Sequence, residues 1–319
     1  TTPLVRVGPK GSGQFRPVSW SEAISTIAER WTEILAAHGG ESILPCSYAG
    51  TMGLVQRNAG HAVFHRLGAS RLDRTICSPA LDDGYQSVYG STPGLDPDHA
   101  IESDLLILWG SNALATNIHF LPRLKEAQRR GAKTWLVDTH KTATAPLVDR
   151  LIVVRPGSDG ALALAMLHVL EKENLIDRQF IASNVLGWEQ LSKEVLPLNS
   201  PEFASPVTGV SEQEIYEFAL AYGKARAPFI RFGNGLSRYG NGSMTVRCIS
   251  CLPAAVGAWN KPGGGLLAGI STGEAYDLSF FRREDWQPNP TRLVNLNQIG
   301  HALTDVRGGT SASTRHASS

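Results

Sequence analysis

The sequence predicts an α/β protein built on parallel sheet, and three observations carry that reading. The run "DLLILWGSN" (104–112) is continuously apolar and ends in Gly, as strands buried on both faces do. From there strand-like and helix-like segments alternate, a pattern that implies parallel strands joined by right-handed crossovers. At 319 residues the chain is longer than a typical single domain, so two domains, or one large body with an insertion, are expected.

The elements follow in order. "VSWSEAISTIAERWTEILAAHGG" predicts a helix: Ser19 caps with Glu22 three positions on as a capping box, and Gly39–Gly40 stop it. Between them Ile24, Ile27, Ala28, Trp31, Ile34 and Leu35 keep helical spacing. "SILPCS" reads as a short strand, and Val55, Ala59, Val63 and Leu67 mark another helix. After "DLLILWGSN" come the helix "IHFLPRLKEAQRRG", the strands "AKTWLVDTH" and "RLIVVRPGSDG", and the helix "ALALAMLHVLEKENL". A further strand, "PFIRFGNG", precedes a helix over roughly Met244 to Trp259 and the glycine-rich "NKPGGGLL". The tail "RGGTSASTRHASS" is small and polar, the composition of disorder.

Composition excludes several function classes. With 42% hydrophobic and 18% charged residues and a net charge of +1, the chain offers no basic block for nucleic acid. No apolar run reaches the length of a membrane span, so no direct membrane insertion is expected. Four cysteines (Cys46, Cys77, Cys248, Cys251) form no disulfide framework, which points to a reducing compartment, the cytoplasm. The chain starts at Thr1 without Met and reads as a piece of something longer, which leaves export of the parent open.

Ligands of parallel sheets collect at the carboxyl ends of the strands. Those ends carry Gly110–Ser111–Asn112, Asp138–Thr139–His140–Lys141 and Pro156–Gly157–Ser158–Asp159. Small residues let backbone N–H groups approach a phosphate, and a carboxylate after the second strand can accept from a ribose or a guanine edge. Asp159 has an equally plain reading as the N-cap of the following helix. The dinucleotide fingerprint G-x-G-x-x-G is absent. "RFGNGLSRYGNGS" brings four glycines directly after a strand, suited to a flat or phosphorylated ligand or to a long turn. Cys248-x-x-Cys251 lies within a predicted helix without a second pair, which disfavours structural zinc, and His61 and His65 read as a solvated helix face. Cys77 sits in the polar stretch "RLDRTICSPALDDGYQSVYG". It is either a small apolar filler or a thiol whose anion Arg71 and Arg74 favour.

The order of these motifs resembles the molybdopterin oxidoreductases of the dimethyl-sulfoxide-reductase superfamily, formate dehydrogenases among them. Five blocks carry the resemblance: "SWSEA", "TICSPALDDG", "LILWGSN", "VDTHKTATAPLVDRLIVVRPGSDGALALAML" and "RFGNG…TVR…GAWNKPGGGLL". It implies two parallel-sheet, Rossmann-like α/β domains, one inserted into the other: residues 1–75 with 250–319, and residues 76–249 as the pterin-dinucleotide-binding domain. It implies two-electron chemistry at a molybdenum or tungsten centre held by two molybdopterin guanine dinucleotides, with Cys77 as the protein ligand; a soft thiolate suits such a metal. Trp109, Gly110, Ser111 and Asn112 would line one dinucleotide. Asp138, Thr139, His140, Lys141, Gly157, Ser158 and Asp159 would lie at its guanosine end, and Gly233, Asn234, Gly235 and Leu236 near the metal. Arg247 matches the family's active-site arginine, suited to an anionic substrate or an oxide.

Two departures qualify the resemblance. Formate dehydrogenases carry a histidine after the ligand, where this chain has Ser78, which puts formate oxidation in doubt. No iron–sulfur cysteine cluster precedes "SWSEA", so such a cluster, an electron-transfer partner and a C-terminal cap would belong to the full-length parent. The rival expectation is a cofactor-free scaffold subunit of a respiratory complex with the same fold.

Overall fold

The computed structural model describes residues 1–304 except 49, 51, 92, 93, 270–275 and 288. The chain divides into two compact units, Thr1–Thr75 with Thr272–Ser319, and Ile76–Ser271, so the second interrupts the first. The expected return boundary at 249/250 cuts through a continuous helix, Gly242–Ala255, which packs on the helices Pro79–Tyr89 and Asp159–Lys172 of the second unit. The polar tail 307–319 lies outside the described residues.

In the first unit, strands β1 (Leu4–Arg6) and β2 (Phe15–Pro17) pair antiparallel, and β3 (Arg71–Asp73) pairs parallel with β9 (Leu293–Asn295). The helix Trp20–His38 starts as its sequence predicts, with Ser19 Oγ accepting from the Glu22 N–H at 3.1 Å. The second half of the box is not made: the Glu22 carboxylate turns instead to Arg16 at 2.6 Å. Two expectations fail here. Residues 43–48 form no strand, consistent with Pro45, which has no N–H for a ladder. The second helix is broken into Leu54–Asn58 and His61–Arg66, with Gly60, a poor helix former, at the interruption.

The second unit is built on five parallel strands: β4 (Leu105–Trp109), β5 (Lys133–Asp138), β6 (Arg150–Val153), β7 (Pro228–Phe232) and β8 (Gly265–Leu267). Their order is β6-β5-β4-β7-β8. Strand β4 is buried along its whole length. Its alternation sends Leu105, Ile107 and Trp109 into one core with the helices Asp159–Lys172, Glu212–Lys224 and Gly242–Ala255. Leu106 and Leu108 enter a second core with Phe120, Leu124 and Ala127. An apolar run without polar alternation is therefore the signature of a strand covered on both faces. Gly84 permits the closest approach of the helices Pro79–Tyr89 and Gly242–Ala255, since a Cβ there would lie 2.2 Å from the Ser243 carbonyl oxygen.

Candidate functional site

Chain order reverses between β4 and β7: from β4 the sheet grows through β5 to β6 on one side and through β7 to β8 on the other. Such a switch point leaves a crevice beyond the carboxyl ends of the two central strands, because their exit loops diverge. A cavity of about 570 Å³ occupies that position. Its wall includes Gly110, Ser111 and Asn112 after β4, Asp138, Thr139 and His140 after β5, and Gly233, Asn234, Gly235 and Leu236 after β7, with Asp159. Eleven of the fifteen positions expected to hold a cofactor thus meet on one surface.

Backbone geometry explains the glycines. Gly110 has a φ of 60°, and a Cβ on it would stand 3.0 Å from Leu236. A Cβ on Gly233 would lie 2.5 Å from the Gly110 carbonyl oxygen. The two exit loops therefore touch backbone to backbone, and the cavity floor is main chain.

The other four expected positions have different duties. Trp109 is wholly buried and does not line the cavity; its indole N–H donates to the Asp159 carboxylate at 2.8 Å. Asp159 is accordingly not the N-cap of its helix. That position belongs to Ser158, whose hydroxyl donates to the Arg155 carbonyl at 2.7 Å. Burial raises the Asp159 carboxyl above its ordinary value, opposed by the Trp109 hydrogen bond. Gly157 packs beside Tyr239, and its carbonyl accepts from Asn241 at 2.9 Å. Lys141 is exposed and lies off the wall.

Cys77 stands before the helix Pro79–Tyr89, against Arg238 of the cavity wall. Arg71 and Arg74, the expected partners of its thiol, are engaged elsewhere, on the carbonyls of Thr291 and Ser47. The guanidinium that reaches Cys77 belongs to Arg238 on the cavity wall. It donates to the Cys77 carbonyl, and its Nη2 lies 3.8 Å from Sγ. Ser237 Oγ also reaches that carbonyl, at 3.4 Å. The Ser78 hydroxyl donates to Asp82 at 3.1 Å.

Arg247 lines a second cavity of about 930 Å³ with Tyr85, Trp188, Cys251 and Trp259. Burial pushes the thiols of Cys248 and Cys251 up to about 12 and about 11, so both are neutral near pH 7. Arg231, Arg238 and Asn117 on the first cavity escaped the sequence reading. For Arg231 a signal existed: a charged residue inside the apolar run "PFIRF" is unusual enough to require a reason.

A family model described as molybdopterin oxidoreductase matches residues 1–304. The chain is 42% identical over 308 residues to a probable oxidoreductase, YoaE, of Bacillus subtilis (strain 168), covering 96% of this chain and 45% of that protein. It is 30% identical to formate dehydrogenase H of Escherichia coli (strain K12), covering 83% of this chain and 37% of the relative. Among solved structures, acetylene hydratase from Pelobacter acetylenicus superposes with a TM-score of 0.70 at 24% identity, covering 90% of this chain and 39% of that one, a likeness of fold. The chain spans less than half the length of these relatives.

Proposed function

The chain belongs to the molybdopterin oxidoreductase family, and from that premise we propose that the switch-point cavity holds one of two molybdopterin guanine dinucleotides, with Cys77 as the protein ligand of the metal. The observation that carries this is the convergence of the β4, β5 and β7 exit loops on one cavity, with Cys77 held by Arg238 of its wall.

The residues present fit such a group. The main-chain floor at Gly110 and Gly233 admits a ligand close to backbone N–H groups. Thr142, on the wall and 6% exposed, has a hydroxyl with no hydrogen-bond partner among the described residues. A buried hydroxyl without a partner is costly, and a polar ligand would relieve it. The Asn112 amide oxygen accepts from Thr144 at 2.8 Å, which fixes the amide and leaves its NH₂ group to donate. Asp138 accepts from the Thr139 N–H at 2.8 Å and retains lone pairs for a ribose or a guanine edge.

When bound, the metal centre would supply two-electron redox chemistry for a small anionic or oxide substrate. Cys77 contributes a sulfur donor matched to a soft metal. Arg238 fixes the Cys77 backbone and places positive charge beside the thiol, where it attracts an anionic substrate. On this geometry Arg238, rather than Arg247, meets the substrate. Ser78 cannot serve as the proton acceptor that imidazole provides, so the proton leaves by another group. Electrons pass to a partner protein or domain.

Elemental analysis by inductively coupled plasma mass spectrometry, with pterin fluorescence after oxidative release, tests this on the full-length parent. Near-stoichiometric molybdenum or tungsten with pterin is expected. A folded sample with neither would move the assignment to a scaffold.

A further inference from the structure

Arg231 sits near the end of β7, on the wall of the switch-point cavity. Its Nη1 donates to the carbonyls of Phe232, Leu267 and Ala268. With the Asn117 amide turned so that its oxygen faces the guanidinium, that oxygen accepts from Nε at 3.3 Å and from Nη2 at 3.2 Å. All these partners are neutral. Among the described residues no carboxylate pairs with it, and burial is the sole influence that moves it, down to about 10, so it stays charged near pH 7.

A partly buried cation held only by dipoles is expensive, and proteins retain one where a ligand completes it. A guanidinium has five N–H donors, and the neighbours above leave one Nη2 hydrogen without a partner. The cavity's own carboxylates are engaged elsewhere: Asp138 accepts from the Thr139 N–H and Asp159 from the Trp109 indole.

We propose that Arg231 is the anion receptor of this cavity, and that it takes a phosphate-type oxyanion, the diphosphate of the dinucleotide in the loaded protein. The identity of the natural ligand rests on the reading given under Proposed function; the anion site itself does not. Asn117 is then the residue that keeps the receptor open, because it satisfies the guanidinium without neutralising it.

The test is titration calorimetry of the 319-residue chain with inorganic pyrophosphate and with guanosine diphosphate, alongside thermal melting. Wild type is expected to bind pyrophosphate. Arg231→Met should lose at least tenfold in affinity, and Arg231→Lys should retain part of it. Asn117→Asp places a carboxylate on the guanidinium, so it should weaken pyrophosphate at least tenfold while raising the melting temperature, a combination that misfolding cannot produce. Failure of wild type to bind pyrophosphate, or equal binding by Asn117→Asp, would overturn the proposal. If pyrophosphate binding depends on Arg231 yet guanosine diphosphate binds no more tightly than pyrophosphate, the anion site stands and the dinucleotide reading is what fails.

Discussion

Two cavities of the second unit, of about 570 and about 930 Å³, differ in construction. The first, at the ends of β4, β5 and β7, has a main-chain floor, two arginines on its wall and an orphaned hydroxyl. The second lies among helices, and its wall is aromatic, with Tyr85, Tyr89, Trp188 and Trp259 around Arg247. In the second cavity the Tyr89 hydroxyl donates to the Ser250 carbonyl and accepts from Trp259 at 3.3 Å, while the buried Trp188 indole N–H has no partner among the described residues. The larger volume therefore does not mark the binding site. What separates the first is its place, at the switch point where the exit loops of β4, β5 and β7 converge on a main-chain floor and two arginines.

The comparison can be broken in four places. The largest effect is expected at Cys77. Cys77→Ala in the full-length parent should abolish turnover while shifting the melting temperature little, since an alanine there removes a donor and no core packing; full activity would sink the ligand assignment. Next come the two arginines. Arg238→Ala should lower kcat/KM of the parent by about a hundredfold or more, as expected for loss of a group that acts on the reacting centre, and Arg247→Ala by less than tenfold. The reverse ranking would transfer the chemistry to the second cavity.

A smaller effect is expected from backbone crowding. Gly233→Ala forces a methyl against the Gly110 carbonyl oxygen and should cost about 1–3 kcal/mol in denaturant unfolding. Gly240→Ala, with open space around it, should stay within about 0.5 kcal/mol. Equal costs at the two positions would remove the argument that the exit loops meet backbone to backbone.

The smallest effect concerns Asp159 and depends on pH. Burial raises this carboxyl, so the folded state prefers its protonated form. That contribution is fully present below the ordinary aspartate value and is lost as pH rises through the raised one. Asp159→Asn should therefore melt higher than wild type at pH 7, with the gap closing toward pH 3. A gap that widens on acidification would show that the Trp109 bond outweighs burial.

The sheet was legible in the sequence because burial on both faces writes itself as an unbroken apolar run, as in "LLILW". The first unit was less legible. "SILPCS" has strand composition, but one proline removes a ladder donor, and Gly60 interrupts a helix whose apolar spacing continues across it. At the site, chain order revealed which loops converge, since glycines after strands mark exit turns. Which polar side chain serves which partner was not legible. Trp109 stands next to Gly110, yet strand alternation turns it into the core to hold Asp159. Arg74 is three residues from Cys77 and is bound to Ser47, whereas Arg238 arrives from far along the chain. Such pairings are set by tertiary packing, and local sequence does not encode them.

The most direct measurement is X-ray absorption fine structure at the metal edge of the full-length parent, wild type against Cys77→Ser. The account predicts that the variant loses one sulfur from the metal's first coordination shell and gains a lighter donor. An unchanged sulfur count would contradict it, because the thiol beside Arg238 would then have no part in holding the metal.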